Sequence, residues 1–280
     1  MIAYFNGEYI EKERVFISPD DRGFLFSDGI YEVVRFYRGV PFRIKEHQDR
    51  MERGAEALRF NRIRFPEFLD MASQLTVKNG LIKKDSSIVY FQVTRGVAPR
   101  SHSFPARETP LTIYACAQEI PWKAAAQQTG AEAITVEDNR WSNCDIKSIS
   151  LLPNTLAHQL AKDRDAIEAI FVRHGAVQEG THSNVFILSK GLVKTPPLNK
   201  YVLPGITRKT VIELCETLSI PCIEHPILKA DLIQAEEVII VGTTLEITPI
   251  ICIDGIGIGN RRPGHLTRSI QNAFAELTRL

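Results

Sequence analysis

Strand-like and helix-like patterns are interspersed along this chain without a regular βαβ rhythm, and that order restricts its architecture more than any other feature. Runs rich in β-branched and aromatic residues read as strands. They cover Ile30–Tyr37, Val40–Ile44, Ser87–Thr94 and Leu111–Ala117, then Ala131–Glu137, Glu168–Arg173, Asn184–Leu188, Glu236–Val241 and Ile247–Ile253. Apolar residues at helical spacing mark Lys45–Leu58, Phe65–Asn79, Pro153–Asp163, Thr207–Leu218 and His265–Leu277. Asn6-Gly7, a strong turn dipeptide, centres a hairpin over Ile2–Tyr9. A doubly wound sheet needs strand and helix to alternate, so this order predicts an α+β fold. The pattern breaks between Gln118 and Thr129, where Pro121 interrupts it. We therefore expect a linker at residues 118–123, between an N-terminal domain (1–117) and a C-terminal domain (124–280). A chain of 280 residues accommodates two modest domains.

Charge excludes some functions. Lys and Arg number 34 against 33 Asp and Glu, a net charge of +1, and no basic run is clustered enough to grip a phosphate backbone. No nucleic-acid partner is expected. No apolar run approaches the roughly 20 residues that span a bilayer, and the first residues lack a basic segment followed by an apolar one. Cys116, Cys144, Cys215, Cys222 and Cys252 are odd in number and form no CxxC pair. Together these features predict a cytoplasmic protein with reduced thiols and no membrane partner.

Four segments place polar residues inside apolar surroundings. In Arg140-Trp-Ser-Asn-Cys-Asp-Ile-Lys147-Ser-Ile, Lys147 stands between Ile146 and Ile149. A lysine desolvated by such neighbours has a lowered pKa and becomes a nucleophilic amine able to form a Schiff base. Taken alone, the segment reads more readily as a strand lysine that reaches solvent. In Val177-Gln-Glu179-Gly-Thr-His-Ser-Asn184, a carboxylate precedes an apolar strand, where it can pair with a protonated ring nitrogen or simply belong to a turn. In Leu203-Pro-Gly205-Ile-Thr207-Arg208, Gly205 permits close backbone approach and Thr207 is a candidate N-cap. A helix start of this kind suits a phosphate, or is an ordinary helix entry. Val241-Gly-Thr243-Thr244 closes a strand with hydroxyls. An amine, an acid, a helix-start anion site and clustered hydroxyls are together the parts needed to hold pyridoxal phosphate.

The chain also resembles the class IV, fold-type IV aminotransferases. The signature of that family reads here as Glu179…Asn184-Val185-Phe186, Val193-Lys194-Thr195 and Leu203-Pro204-Gly205-Ile206-Thr207-Arg208, with every position matched. The resemblance runs from Tyr4-Phe5-Asn6-Gly7 to the last helix. It implies a small N-terminal α/β domain, a larger C-terminal domain with a β-barrel-like core, and pyridoxal 5′-phosphate as cofactor. It assigns Lys147 to the amine that bonds the cofactor and moves the α-proton, and Glu179 to the acid beside the ring nitrogen. Arg50, Ile206, Thr207, Thr243 and Thr244 match the phosphate contacts. Without the family, Arg50 reads as a solvated helix arginine.

Among members, the D-amino acid transaminases fit best. Tyr31, Arg100 and His102 match their trap for the substrate carboxylate, in which the Arg and His come from the neighbouring subunit. The resemblance thus implies a homodimer with a shared active site. It also implies substrates of the D-alanine and D-glutamate class exchanging with pyruvate or 2-oxoglutarate. The plainer reading of Arg100 and His102 is an exposed loop near Pro99 and Pro105. A branched-chain L-amino acid aminotransferase and an aminodeoxychorismate lyase are alternatives on the same scaffold. Val33, Arg35, Thr181 and His182 leave the preferred side chain open.

Overall fold

The structure, a computed structural model, describes residues 1–60, 68–121 and 124–278. It divides into two units. One is Met1–Trp122 with Ile146–Ser150; the other is Lys123–Asp145 with Leu151–Arg279. The segment that carries Lys147 thus belongs with the first unit, although it lies far into the second half of the chain. The expected linker and helix also touch undescribed positions: residues 122 and 123 of the one, and 65–67 of the other, lie outside the described residues.

The first unit is built on a six-stranded antiparallel sheet. Its hairpin, β1 (Ile2–Phe5) and β2 (Glu8–Glu11), turns at Asn6 and Gly7, both with positive φ, as the Asn-Gly pair predicts. A short helix, α1 (Arg22–Phe26), leads into β3 (Gly29–Tyr37) and β4 (Val40–Pro41). The expected strand over Val40–Ile44 stops early, because Arg43 turns into the left-handed region and Ile44 opens a helix. That helix is α2 (Ile44–Ala57), followed by α3 (Phe68–Lys78), β5 (Ser86–Thr94) and β6 (Thr112–Glu119). The sheet order is β2-β1-β6-β5-β3-β4. Alternation on β3 sends Val34 and Phe36 toward Met51 and Ala55 of α2 and Phe68, Ala72 and Leu75 of α3. Phe68 and Phe91 meet edge to face, with ring centroids 4.8 Å apart. Each such buried side chain contributes roughly 1.5–3 kcal/mol.

The second unit begins with α4 (Ala124–Thr129), β7 (Ala131–Glu137), α5 (Leu152–Lys162), β8 (Glu168–Arg173) and β9 (Ala176–Gly180). It continues through β10 (Asn184–Ser189), β11 (Leu192–Thr195), α6 (Ile206–Thr217), β12 (Cys222–Glu224) and α7 (Lys229–Ile233). It ends with β13 (Glu237–Gly242), β14 (Glu246–Ile253), β15 (Ile256–Gly257) and α8 (His265–Thr278). Sheet order is β12-β11-β10-β13-β14-β7-β8-β9, with β15 on β14.

That order forces curvature. β9 and β10 are joined by only Thr181–Ser183, yet five strand spacings separate them along the sheet. A flat sheet would hold them roughly 24 Å apart, whereas four Cα steps span at most about 15 Å. The sheet therefore curls until β9 approaches β10, and Gly180 N–H donates to Ser183 O at 2.7 Å. The result is the expected barrel-like core. Its lining follows period two: Ile170 and Val172 of β8 join Val185, Ile187, Val238 and Ile240. The intervening Ala169 and Phe171 pack outward with Ala157 and Ala161 of α5. Mixed sheets and separate helices in two units make this a two-domain α+β fold. All five cysteines are free thiols. No helix among the described residues is long and apolar enough to cross a membrane.

Candidate active site

Lys147 is fixed by backbone hydrogen bonds to β3. Tyr31 N–H donates to Lys147 O at 3.0 Å, Ile149 N–H donates to Gly29 O at 3.1 Å, and Ser148 bridges Ile30. The approach depends on Gly29, where a Cβ would lie 2.7 Å from Ile149 Cδ1. Lys147 Nζ then sits 4.1 Å from the centre of the Tyr31 ring, itself stacked on Tyr90 with centroids 5.8 Å apart.

Tyr31 and Glu32, adjacent on β3, face opposite ways. The fully buried Glu32 meets α2, where Arg50 Nε and Nη2 donate to its two oxygens at 2.7 and 2.8 Å. His47 Nδ1 completes the cluster at 2.8 Å. Burial alone would raise the Glu32 pKa. The charges and hydrogen bonds of Arg50 and His47 outweigh it and hold the carboxyl well below its ordinary range. His47 goes the other way: burial holds it below its ordinary value against the pull of Glu32, and the charges of Arg50 and Lys147 add to that lowering. A neutral ring donating from Nδ1 fits both facts. Sequence reasoning placed Arg50 on the surface when the family was set aside, and it missed Glu32 and His47. The available signal was two polar residues three apart on a face shared with Met51 and Gly54, all buried.

Arg100 and His102 lie on the loop that follows β5 and are exposed. Both meet Phe26: the guanidinium carbon of Arg100 is 5.3 Å from its ring centre and the His102 ring 5.5 Å. Buried Arg22 pins the loop, donating to Ser101 O at 2.7 Å and Ser103 O at 3.2 Å. Tyr31 does not join this cluster; its ring contacts are with Lys147 and Tyr90. Arg35 is buried on β3, donating to Ser86 Oγ at 2.8 Å.

In the second unit Glu179 stands near the end of β9, a strand where the sequence suggested only a turn. Its carboxylate accepts from Arg140 Nη1 at 2.6 Å, Leu203 N–H at 2.9 Å and Asn184 Nδ2 at 3.3 Å. Asn184 Nδ2 also donates to Leu203 O at 3.0 Å. Three separated positions of the signature are thus tied by one side chain. Arg140 is held in turn by Asp138 at 2.9 and 3.1 Å, by Tyr201 O at 3.0 Å and by the Phe171 ring. It was not singled out from the sequence, although it opens the segment that contains Lys147.

Gly205, and not Thr207, is the N-cap of α6; Ile206 and Thr207 are buried in its first turn, and no side chain caps their amides. Thr243 and Thr244 form the half-buried turn between β13 and β14. At Gly205 a Cβ would come 2.0 Å from Asn184 Oδ1, and Asn184 is already committed to Glu179 and Leu203. Gly205→Ala is therefore expected to destabilise the protein by about 1–3 kcal/mol through overpacking. Thermal denaturation checks this; an unchanged midpoint contradicts it.

The loop Thr181–Ser183 is fastened to Glu168. Burial would raise that carboxyl, but His182, His158, Thr181 and Ser183 bring it down to about 2. Asn154 of α5 adds a hydrogen bond to Thr181 O at 2.8 Å.

These groups fit pyridoxal phosphate by donor chemistry: an anchored amine, a buried carboxylate ringed by donors, and a helix start whose amides lack a side-chain cap. The model of the class IV amino-transferase family matches residues 29–253, and the chain belongs to that family. It is 40% identical to D-alanine aminotransferase of Bacillus licheniformis, over 98% of this chain and 96% of that protein. It is 39% identical to D-alanine aminotransferase of Staphylococcus haemolyticus, over 97% and 96%. Among solved structures, branched-chain amino acid aminotransferase of Escherichia coli matches with TM-score 0.90 and 28% identity, over 99% of this chain and 94% of that one. The branched-chain aminotransferase of Thermoproteus uzoniensis, solved with norvaline, matches with TM-score 0.85 and 26% identity, over 99% and 94%.

Proposed function

We propose that this chain transfers amino groups between D-amino acids and 2-oxo acids, using pyridoxal 5′-phosphate, as a cytoplasmic homodimer. D-Alanine and D-glutamate with pyruvate or 2-oxoglutarate are the substrate class. The observation that carries the reading is similarity to D-alanine aminotransferases over 97–98% of the chain; Tyr31, Arg100 and His102 are the residues proposed to bind the substrate carboxylate. The bound cofactor supplies an electron-accepting ring that stabilises negative charge at the substrate Cα. Lys147 holds it and moves the proton at Cα; Glu179 provides the anion beside the ring nitrogen. Arg50, Ile206, Thr207, Thr243 and Thr244 are the candidate phosphate contacts. Glu32 orients Arg50 through two of its N–H groups.

Arg100 and His102 are exposed in the single chain. A guanidinium binds a carboxylate best through paired, desolvated hydrogen bonds, which a second copy of the chain would provide. Such bonds contribute on the order of 1.5–3 kcal/mol each, so Arg100→Ala should lower kcat/KM for D-alanine by roughly 10–100-fold. His102→Ala should cost less.

A mixing experiment tests the shared site. In a heterodimer of Lys147→Ala and Arg100→Ala subunits, one of the two sites is wild type. Random mixing should then return about a quarter of wild-type activity, half the dimers each with one intact site. Activity no greater than the sum of the separate variants counts against sharing. The branched-chain reading draws on the fold similarity. It replaces the D-specific one if the wild-type enzyme converts L-leucine or L-valine faster than D-alanine or D-glutamate.

A further inference from the structure

On the second unit, three side chains from three elements converge at a point to which the proposed function assigns no catalytic or cofactor-binding role. His158 comes from α5, Glu168 from β8 and His182 from the loop between β9 and β10. One ligand atom from each, a ring nitrogen or a carboxylate oxygen, lies within 4.8 Å of the others. His182 Nδ1 is 3.2 Å from Glu168 Oε2, and His158 Nδ1 is 3.9 Å from Glu168 Oε1. Tetrahedral zinc, with bonds of about 2.0–2.2 Å to nitrogen and oxygen, sets its ligand atoms roughly 3.3–3.6 Å apart. His158, whose side chain is 45% exposed, would turn toward the other two to bring all three donors, now within 4.8 Å of one another, to that separation.

We infer that His158, Glu168 and His182 form a binding site for a divalent transition-metal ion, zinc foremost, with a fourth position open to water.

Two features separate this cluster from a buried acid that merely collects histidines. Glu168 accepts hydrogen bonds without them: from Thr181 N–H at 3.0 Å, Ala169 N–H at 2.9 Å, Ser183 Oγ at 2.7 Å and the Thr181 hydroxyl. The imidazoles are therefore not required to satisfy the carboxylate. Those same hydrogen bonds are the outer support that orients a ligating carboxylate and strengthens its hold on a metal. Second, the two rings stand nearly perpendicular, 89° with centroids 5.1 Å apart, and both bring Nδ1 to one place, 3.2 and 3.9 Å from the Glu168 carboxylate and 3.0 and 3.4 Å from Thr181 Oγ1. Two imidazoles and one carboxylate are a donor set suited to zinc, cobalt, nickel or copper rather than magnesium or calcium. Because His182 lies between Glu179 and Asn184, the ion would tie the signature loop to α5.

The test is calorimetric titration of the holoenzyme with zinc, with magnesium as a control. One equivalent should bind to wild type. His158→Ala and His182→Ser should each weaken that binding by at least about 10-fold, since each removes one of three protein ligands. Zinc should raise the thermal midpoint of wild type more than that of either variant. His158→Ala, altering a half-exposed helix residue, should keep its zinc-free transaminase activity. Absence of zinc binding to wild type overturns the inference. So does binding unchanged in both variants, which would move the ion to another site. Neither result depends on which amino acid the enzyme converts.

Discussion

Lys147→Ala is expected to abolish multiple turnover, a loss of at least about 10³–10⁴-fold, because the general acid–base transfer and covalent attachment proposed for this lysine would disappear together. The structural cost should be small. The segment is held to β3 by the backbone of Lys147 and Ile149 and by the fit of Ile149 against Gly29, none of which involves the lysine amine. Circular dichroism and the thermal midpoint should therefore stay close to wild type while activity vanishes. Lys147→Arg keeps the charge near Tyr31 but cannot serve as the nucleophile, and should be equally inactive. Borohydride reduction of the loaded enzyme followed by peptide mapping should mark the Asp145-Ile146-Lys147 peptide. A label on any other lysine removes Lys147 from the role.

How much of this was readable in advance follows from which interactions are local. The longer strands of the barrel, β7, β8, β10, β13 and β14, were, because period-two patterning is local: β8 sends Ile170 and Val172 one way and Ala169 and Phe171 the other. The Asn6-Gly7 turn was legible for the same reason. The return of Ile146–Ser150 to β3 was not. It rests on Gly29 offering no side chain to Ile149, more than a hundred residues away, and Gly29 carries no local mark of that demand. Burial of Glu32, His47 and Arg50 was hidden too. A helix with polar residues three apart resembles a solvated face until the acid that neutralises them is found on a strand. β9 escaped because Glu179-Gly180 reads as turn chemistry, whereas the tight turn at His174 and Gly175 folds it back into antiparallel pairing with β8. The family signature named Glu179, Asn184 and Leu203 without giving a reason for their association. The reason is mechanical: Asn184 Nδ2 donates to both other residues at once.

That linkage decides what Glu179→Gln should do. The substitution preserves shape and removes a negative charge from a site where Arg140 Nη1, Leu203 N–H and Asn184 Nδ2 all donate. A glutamine oxygen can still accept from one side, but its NH2 must face a donor on the other, so some of the loop's order is lost. Arg140 does not become an orphan, because Asp138 takes Nε and Nη2 and Tyr201 O accepts as well. The usual penalty for breaking a buried ion pair, about 3–5 kcal/mol, should therefore be largely avoided, and the enzyme should fold and retain cofactor. The catalytic effect should dominate. Without an anion to keep the ring nitrogen protonated, the ring would take up less of the negative charge that develops at Cα as the α-proton leaves, a loss worth on the order of 10²–10³ in kcat. The substrate-carboxylate binding proposed for Arg100 would be untouched, so KM should change far less than kcat, the reverse of the pattern expected for Arg100→Ala. Glu179→Asp, shorter but charged, should recover part of the rate. Steady-state kinetics on all three variants separates the two roles, and wild-type turnover in Glu179→Gln would refute the assignment.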